Sequence, residues 1–208
     1  MSSDIKENLK RRFTTNRIET LVDGIFAISM TLLVLNLQVP QIPSPVTNVA
    51  IIQYLFSLIP KFYVYGLSFI LLAVFWRINH QEFHRIKKSD NTLIWINVVW
   101  LMFVALVPFS TSLIGEYGEF QSAELFFHFN MFFIGIIAFF NWHYAVNHNL
   151  SSVKWNKKSY NQSRNIYLGL PSLSVLAMGL TFISPSWSSM AYLGIYLFKK
   201  LGKTEKIN

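Results

Sequence analysis

Apolar residues along this chain fall into long runs separated by short polar or charged breaks. A helix that crosses a membrane needs about 20 mostly apolar residues. Six segments meet or approach that length: 21–39, 60–79, 93–114, 123–146, 166–183 and 187–198. The sixth is the shortest and is extended at its start by the uncharged "SPSW". Ahead of the second run lies another apolar stretch, "VTNVAIIQYLFSLIP", which Pro60 interrupts. A short interfacial helix over 47–59 accounts for Lys61. If the span starts at Pro60, the lysine lies at the headgroups and can snorkel. The pattern predicts an all-α, polytopic membrane protein with six transmembrane helices. The whole chain, 1–208, reads as one such unit with no separate soluble domain.

Composition and charge sharpen this picture. Hydrophobic residues make up 52% of the 208 and charged residues only 13%, against about a quarter charged in soluble domains. Basic residues cluster between the runs. Lys6, Lys10, Arg11, Arg12 and Arg17 precede the first, and Arg77, Arg85, Lys87 and Lys88 follow the second. Lys154, Lys157, Lys158 and Arg164 follow the fourth, and Lys199, Lys200, Lys203 and Lys206 follow the sixth. The connection after the third run carries Glu116, Glu119 and Glu124 instead. With six spans every basic cluster lies on one side, and the positive-inside rule then places both termini in the cytoplasm. Five or seven spans would break the pattern. The net charge of +8 is confined to these clusters and does not line one face, so nucleic acid is not an expected partner. The surroundings expected instead are membrane lipids. The absence of Cys excludes disulfides and thiolate chemistry. The first run is long for a signal peptide and lacks a small-x-small cleavage site before Arg17, which predicts a retained helix.

The first run, "RIETLVDGIFAISMTLLVLNLQVP", holds the most unusual chemistry. Ile28, Leu32 and Leu35 recur at i, i+4 and i+7 and form one stripe, with Thr31 beside it. By spacing alone such a stripe serves lipid contact, bundle packing or a pore. Ser29 and Thr31 can bond the carbonyls one turn earlier. Charges at the mouth of a span are costly unless paired or hydrated. Arg17 and Asp23 stand too far apart to pair along the helix, while Glu19 and Asp23 are i, i+4 and repel. Partners are therefore expected on other helices, and Trp76, Arg77, His80 and Asn97 are the candidates. "HQEFH" places His80 and His84 at i, i+4, but its Glu has the wrong offset for a zinc-protease signature. No third ligand stands near in sequence, so no metal site is expected. His128, His143 and His148 read as interface residues. There is no Gly-rich phosphate loop, no T-V-G-Y-G filter and no row of Arg along a span. No nucleophile–base pair lies within the spans, so neither an enzyme nor a cofactor is expected.

"R-x-x-x-L-V-D-G-I-F-A-I-x-M-T-L-L-V-L" resembles the first-helix signature of the transmembrane protein 175 family, R-x-x-x-F-S-D-G-V-F-A-I-A-M-T-L-L-V-L. That family comprises the endolysosomal potassium channel of animals and its prokaryotic relatives. The likeness continues through "PKFYVYGLSF", "FWRINHQEF" and "DNTLIWINVVWLMFVALVPFST" and covers 17–111, the second half matching mainly in span number. The resemblance implies a six-span subunit of the prokaryotic type, forming a homotetramer in a plasma membrane. It further implies that the first helix of each subunit lines a pore narrowed by Ile28, Leu32 and Leu35. Thr31 matches a threonine associated with selectivity. Arg17, Asp23, Trp76, His80 and Asn97 match the signature and inter-helix network. The implied activity is passive conduction with modest preference for potassium over sodium, with potassium as permeant and no cofactor. Leu21, Val22 and Asn36 depart from the family pattern, where Phe, Ser and often Glu stand. The alternative is a proton-coupled or other secondary transporter that titrates Asp23, His80 or Arg17. Against it, no span is expected to carry a central Gly or Pro interruption, since Pro108 and Pro171 read as nearer the ends.

Overall fold

The computed structural model describes residues 3–39, 46–86, 89–153 and 155–194, with backbone alone for 3–16. The described residues are helical apart from loops and one antiparallel bridge between Ile86 and Ser151. Helix α1 spans Ser3–Leu32 and tightens into a 3-10 turn at Leu33–Asn36. Helix α2, Asn48–Ser57, begins at Thr47, whose hydroxyl accepts from the Ala50 N–H at 3.2 Å. Leu58 separates it from α3, Ile59–Arg85, and Pro60 occupies the first turn of α3, where a missing N–H costs nothing. The helix expected over 47–59 is thus a separate element. Helix α3 runs past the expected end at 79, so His80 and His84 lie on the helix itself.

The third apolar run departs from expectation. It is not one helix but two, α4 (Asn91–Ala105) and α5 (Val107–Tyr117), broken at Leu106. Pro108 explains the break. It lacks an N–H, and its ring cannot share an α-helical turn with the carbonyl four residues earlier. The ladder resumes when the Ser110 N–H donates to Leu106 O at 3.0 Å. Pro171 likewise stands inside α7, Lys157–Thr181. The third run is therefore interrupted at Leu106, two-thirds of the way along, whereas α7 stays continuous through Pro171.

Helix α6, Gln121–Asn147, is the centre of the bundle and packs on α4, α5 and α7. Its contact with α7 is closest at Gly135, where an added Cβ would lie 2.6 Å from Pro171 Cδ. Helix α6 closes in a Schellman turn. Asn149 takes a left-handed φ of 55°, and the Leu150 N–H reaches Ala145 O at 3.0 Å.

Among the described residues, four stretches are long and apolar enough to cross a membrane: 17–36, 59–85, 91–117 and 121–147. Helix α7 is 25 residues long, but its first third is polar. The sixth run is not a continuous α-helix among the described residues. It forms α8, Pro185–Ser188, and a 3-10 segment, Ser189–Gly194. Together these rise about 18 Å, short of the ~30 Å hydrocarbon core. Residues 195–198 of that run, and the lysines after it, lie outside the described residues.

The two ends of the bundle differ. At one end the Ser152 N–H donates to Arg85 O at 2.7 Å, so the connections after α3 and α6 come together. At the other end Lys61 pairs with Glu116, and the Tyr54 hydroxyl donates to Gln38 O at 2.7 Å.

Candidate functional site

Helix α1 has two unlike faces. Ile18, Val22, Phe26 and Ser29 are buried on the side where α1 packs on α3 and α4, and Leu33, first in the 3-10 turn that packs on α3 and α5, continues the same three- and four-residue stripe. Phe26 packs on Trp100 with ring centroids 5.5 Å apart, and the Trp100 indole N–H donates to Ile134 O at 3.0 Å. The opposite stripe is bare. Ile28 is 60% exposed, Leu32 42% and Leu35 65%, and Gly24 and Leu21 continue the same face one and two turns earlier. Leu35 falls in the 3-10 turn, whose 120° steps carry it about 60° further round than an α-helix would.

Thr31 lies on the bare face with its hydroxyl 3.0 Å from Ala27 O and 2.8 Å from Ile28 O. The hydroxyl proton is committed to the helix. The oxygen lone pairs are left to face outward, as an acceptor.

The charged start of α1 is tied to α3. The Trp76 indole N–H donates to Asp23 Oδ1 at 2.8 Å. The Trp76 and His80 rings stack, 5.7 Å apart and 19° from parallel. His80 Nδ1 lies 3.2 Å from Glu19 Oε1. Through these contacts Asp23 and Glu19 on α1 meet Trp76 and His80 on α3. Arg17 is exposed, and no contact among the described residues joins it to Asp23. Asn97 belongs elsewhere. It is buried and donates to Asn141 Oδ1 at 3.1 Å, on α6. Asn141 in turn lies 3.4 Å from Glu82 Oε1, and the Tyr167 hydroxyl donates to Glu82 Oε2 at 3.0 Å. This second network joins α3, α4, α6 and α7.

Val22, where the family has Ser, is fully buried among apolar side chains, and the exposed Leu21 extends the bare stripe. The Asn36 amide donates to Pro108 O at 3.4 Å, so it braces the end of the 3-10 turn against the α4–α5 break.

A third polar group was not legible as a unit. His128 is completely buried, with Nδ1 3.1 Å from the Tyr192 hydroxyl and Nε2 2.9 Å from Ser188 Oγ. Glu124, one turn earlier, accepts from Ser188 Oγ at 3.2 Å. The signal available was an acid and a histidine one turn apart inside an apolar run, where each needs a protein partner. Sequence spacing could not name Ser188 and Tyr192, 60 and 64 positions from His128.

Known proteins resemble this chain in sequence and in fold. The model of the family described as endosomal/lysosomal potassium channel TMEM175 matches residues 17–108. A protein of Chamaesiphon minutus (strain ATCC 27169 / PCC 6605), named as a potassium channel, is 34% identical over 174 residues. That match covers 82% of this chain and 85% of the relative, so the likeness runs well beyond residue 111. A protein of Streptomyces collinus (strain DSM 40733 / Tue 365), also named as a potassium channel, is 34% identical over 103 residues, covering 50% of this chain and 48% of that one. The crystal structure of a lysosomal potassium-selective channel TMEM175 homologue from Chamaesiphon minutus superposes with a TM-score of 0.75 at 29% identity. It covers 92% of this chain and 99% of that one.

Proposed function

This chain belongs to the TMEM175 family, and from that premise we propose that it is one subunit of a passive, potassium-permeable cation channel with α1 lining the pore. The observation that carries the reading is the bare stripe of α1. A helix that buries one face in its own subunit and leaves Ile28, Leu32 and Leu35 uncovered has an apolar surface to present to something else. One helix cannot enclose a pore. A closed ring of copies can, and a homotetramer sets four such stripes around one axis.

An apolar neck of this kind excludes water until it widens, and so acts as a gate by dewetting. Potassium holds its hydration shell less tightly than sodium and passes such a neck more readily. Thr31 adds a ring of outward lone pairs beside the constriction, which favours a partly dehydrated cation. Six crossings, with α7 and the segment from Pro185 as the last two, place both termini in the cytoplasm of a prokaryotic cell. Residues 1–208 then act as one unit with α2 at the interface.

Flux from purified protein in liposomes, compared for potassium, sodium and protons, tests the reading. Conductive potassium flux is expected. Ile28→Ala and Leu35→Ala should raise basal leak. Thr31→Ala should lower the potassium-to-sodium ratio about fivefold, the equivalent of one hydroxyl contact near 1 kcal/mol. Saturable, gradient-coupled exchange would point to a transporter instead. Unchanged flux and selectivity in all three variants would remove the stripe from the pore.

A further inference from the structure

Two histidines on α3 and one carboxylate on α1 converge at the end of the bundle where α3 meets the start of the buried face of α1. His80 Nε2 and His84 Nε2 are 3.1 Å apart, with the rings edge to face at 82°. One donor atom from each of Glu19, His80 and His84 lies within 4.8 Å of the others. We propose that Glu19, His80 and His84 bind one divalent transition-metal ion of the zinc class, clamping α1 to α3.

The geometry suits such an ion. Zn–N bonds of about 2.0–2.1 Å at a tetrahedral angle hold two nitrogens about 3.3 Å apart, close to the separation seen here. The i, i+4 spacing sets both imidazoles on one face of a continuous helix. His80 is also held in place, because it stacks on Trp76, which is itself bonded to Asp23. Its Nδ1 is buried and makes no hydrogen bond, although the Glu19 carboxylate stands 3.2 Å away. Rotation of the Glu19 carboxylate about its terminal torsions brings an oxygen to the ion, and water fills the fourth position. Two nitrogens and one oxygen select zinc, cobalt or nickel over the oxygen-ligated calcium and magnesium. Sequence spacing supplied only the histidine pair. The third donor comes from a helix about 60 positions earlier. The site is separate from the conduction reading, since a chain that conducts nothing would still bind the ion.

The test is equilibrium titration of the full-length chain, purified without a polyhistidine tag, with Zn²⁺ and with Co²⁺. Visible bands of Co²⁺ report tetrahedral ligation. One ion per chain is expected, with a rise in melting temperature. His84→Ala and Glu19→Gln should each weaken affinity about tenfold or more, as the loss of a ligand or its support does, and His148→Ala should have no effect. Melting without metal checks that the variants fold, and if one does not, the other decides. A wild-type chain with no saturable site overturns the proposal. So does a folded His84→Ala or Glu19→Gln variant that binds like wild type.

Discussion

At the residue scale, one indole N–H does much to set where α1 stands. Trp76→Phe keeps a ring to stack on His80 but removes the donor to Asp23. A hydrogen bond to a charged acceptor is worth about 1.5–3 kcal/mol when buried, and this half-open pair sits at or below the low end, near 1 kcal/mol. A modest fall in melting temperature, read by intrinsic fluorescence in detergent, is the expected outcome. Asn97→Leu should cost more. It keeps the branched side-chain shape but leaves the buried Asn141 carbonyl without its donor, a penalty of about 1–3 kcal/mol. If Asn97→Leu melts like wild type, the second network does not bear on stability. These residues differ in how legible they were. Asp23 announced a need for a partner because a charge at the mouth of a span demands one, and Trp76 lay at the matching depth. Asn97 lay at the same depth but on a face turned toward α6, which only packing reveals.

At the scale of elements, α6 and α7 meet through a glycine facing a proline. Gly135→Ala forces a methyl into the Pro171 ring, which cannot turn aside. Overpacking of this kind costs about 1–3 kcal/mol. Gly179→Ala, on the open side of α7 with nothing within 4 Å, is the control. It should be neutral or gain up to about 1 kcal/mol from better helix propensity. Equal melting temperatures for the two variants would show that the α6–α7 contact is looser than its geometry implies. Pro108 acts within its own run by breaking the third apolar stretch at Leu106, and its carbonyl accepts from the Asn36 amide. Its position two-thirds of the way along that run was visible, but its consequence was underestimated.

At the scale of the whole molecule, the charge pattern and the packing agree on which segments share an end. The connection after α3 is bonded to the connection after α6 through Ser152 and Arg85, and Lys61 meets Glu116 at the other end. Because the chain has no Cys, single cysteines report topology directly. Lys157→Cys, at the exposed start of α7, should react with a membrane-impermeant thiol reagent only from the cytoplasmic side. Ser122→Cys, at the exposed start of α6, should react only from outside. Labelling of both from the same side would overturn the assigned orientation.

Apolar length determined most of the helices and the break at Pro60, and charge spacing predicts the side on which each basic cluster falls. In lipid the backbone must satisfy itself within each span, so hydropathy reads helices directly. The resemblance in residues 17–111 brought the family within reach, and the stripe of Ile28, Leu32 and Leu35 was visible as a pattern. Spacing left that stripe's partner open, because every apolar helix contains one. Only the tertiary structure decided which face packs within the subunit, by burying Val22 and Phe26 against α3 and α4 and leaving the opposite face uncovered. Packing also decided which polar side chains meet: Asp23 with Trp76, Asn97 with Asn141, His128 with Tyr192, and Glu19 with the two histidines. Those meetings join positions tens of residues apart, where no local periodicity carries information.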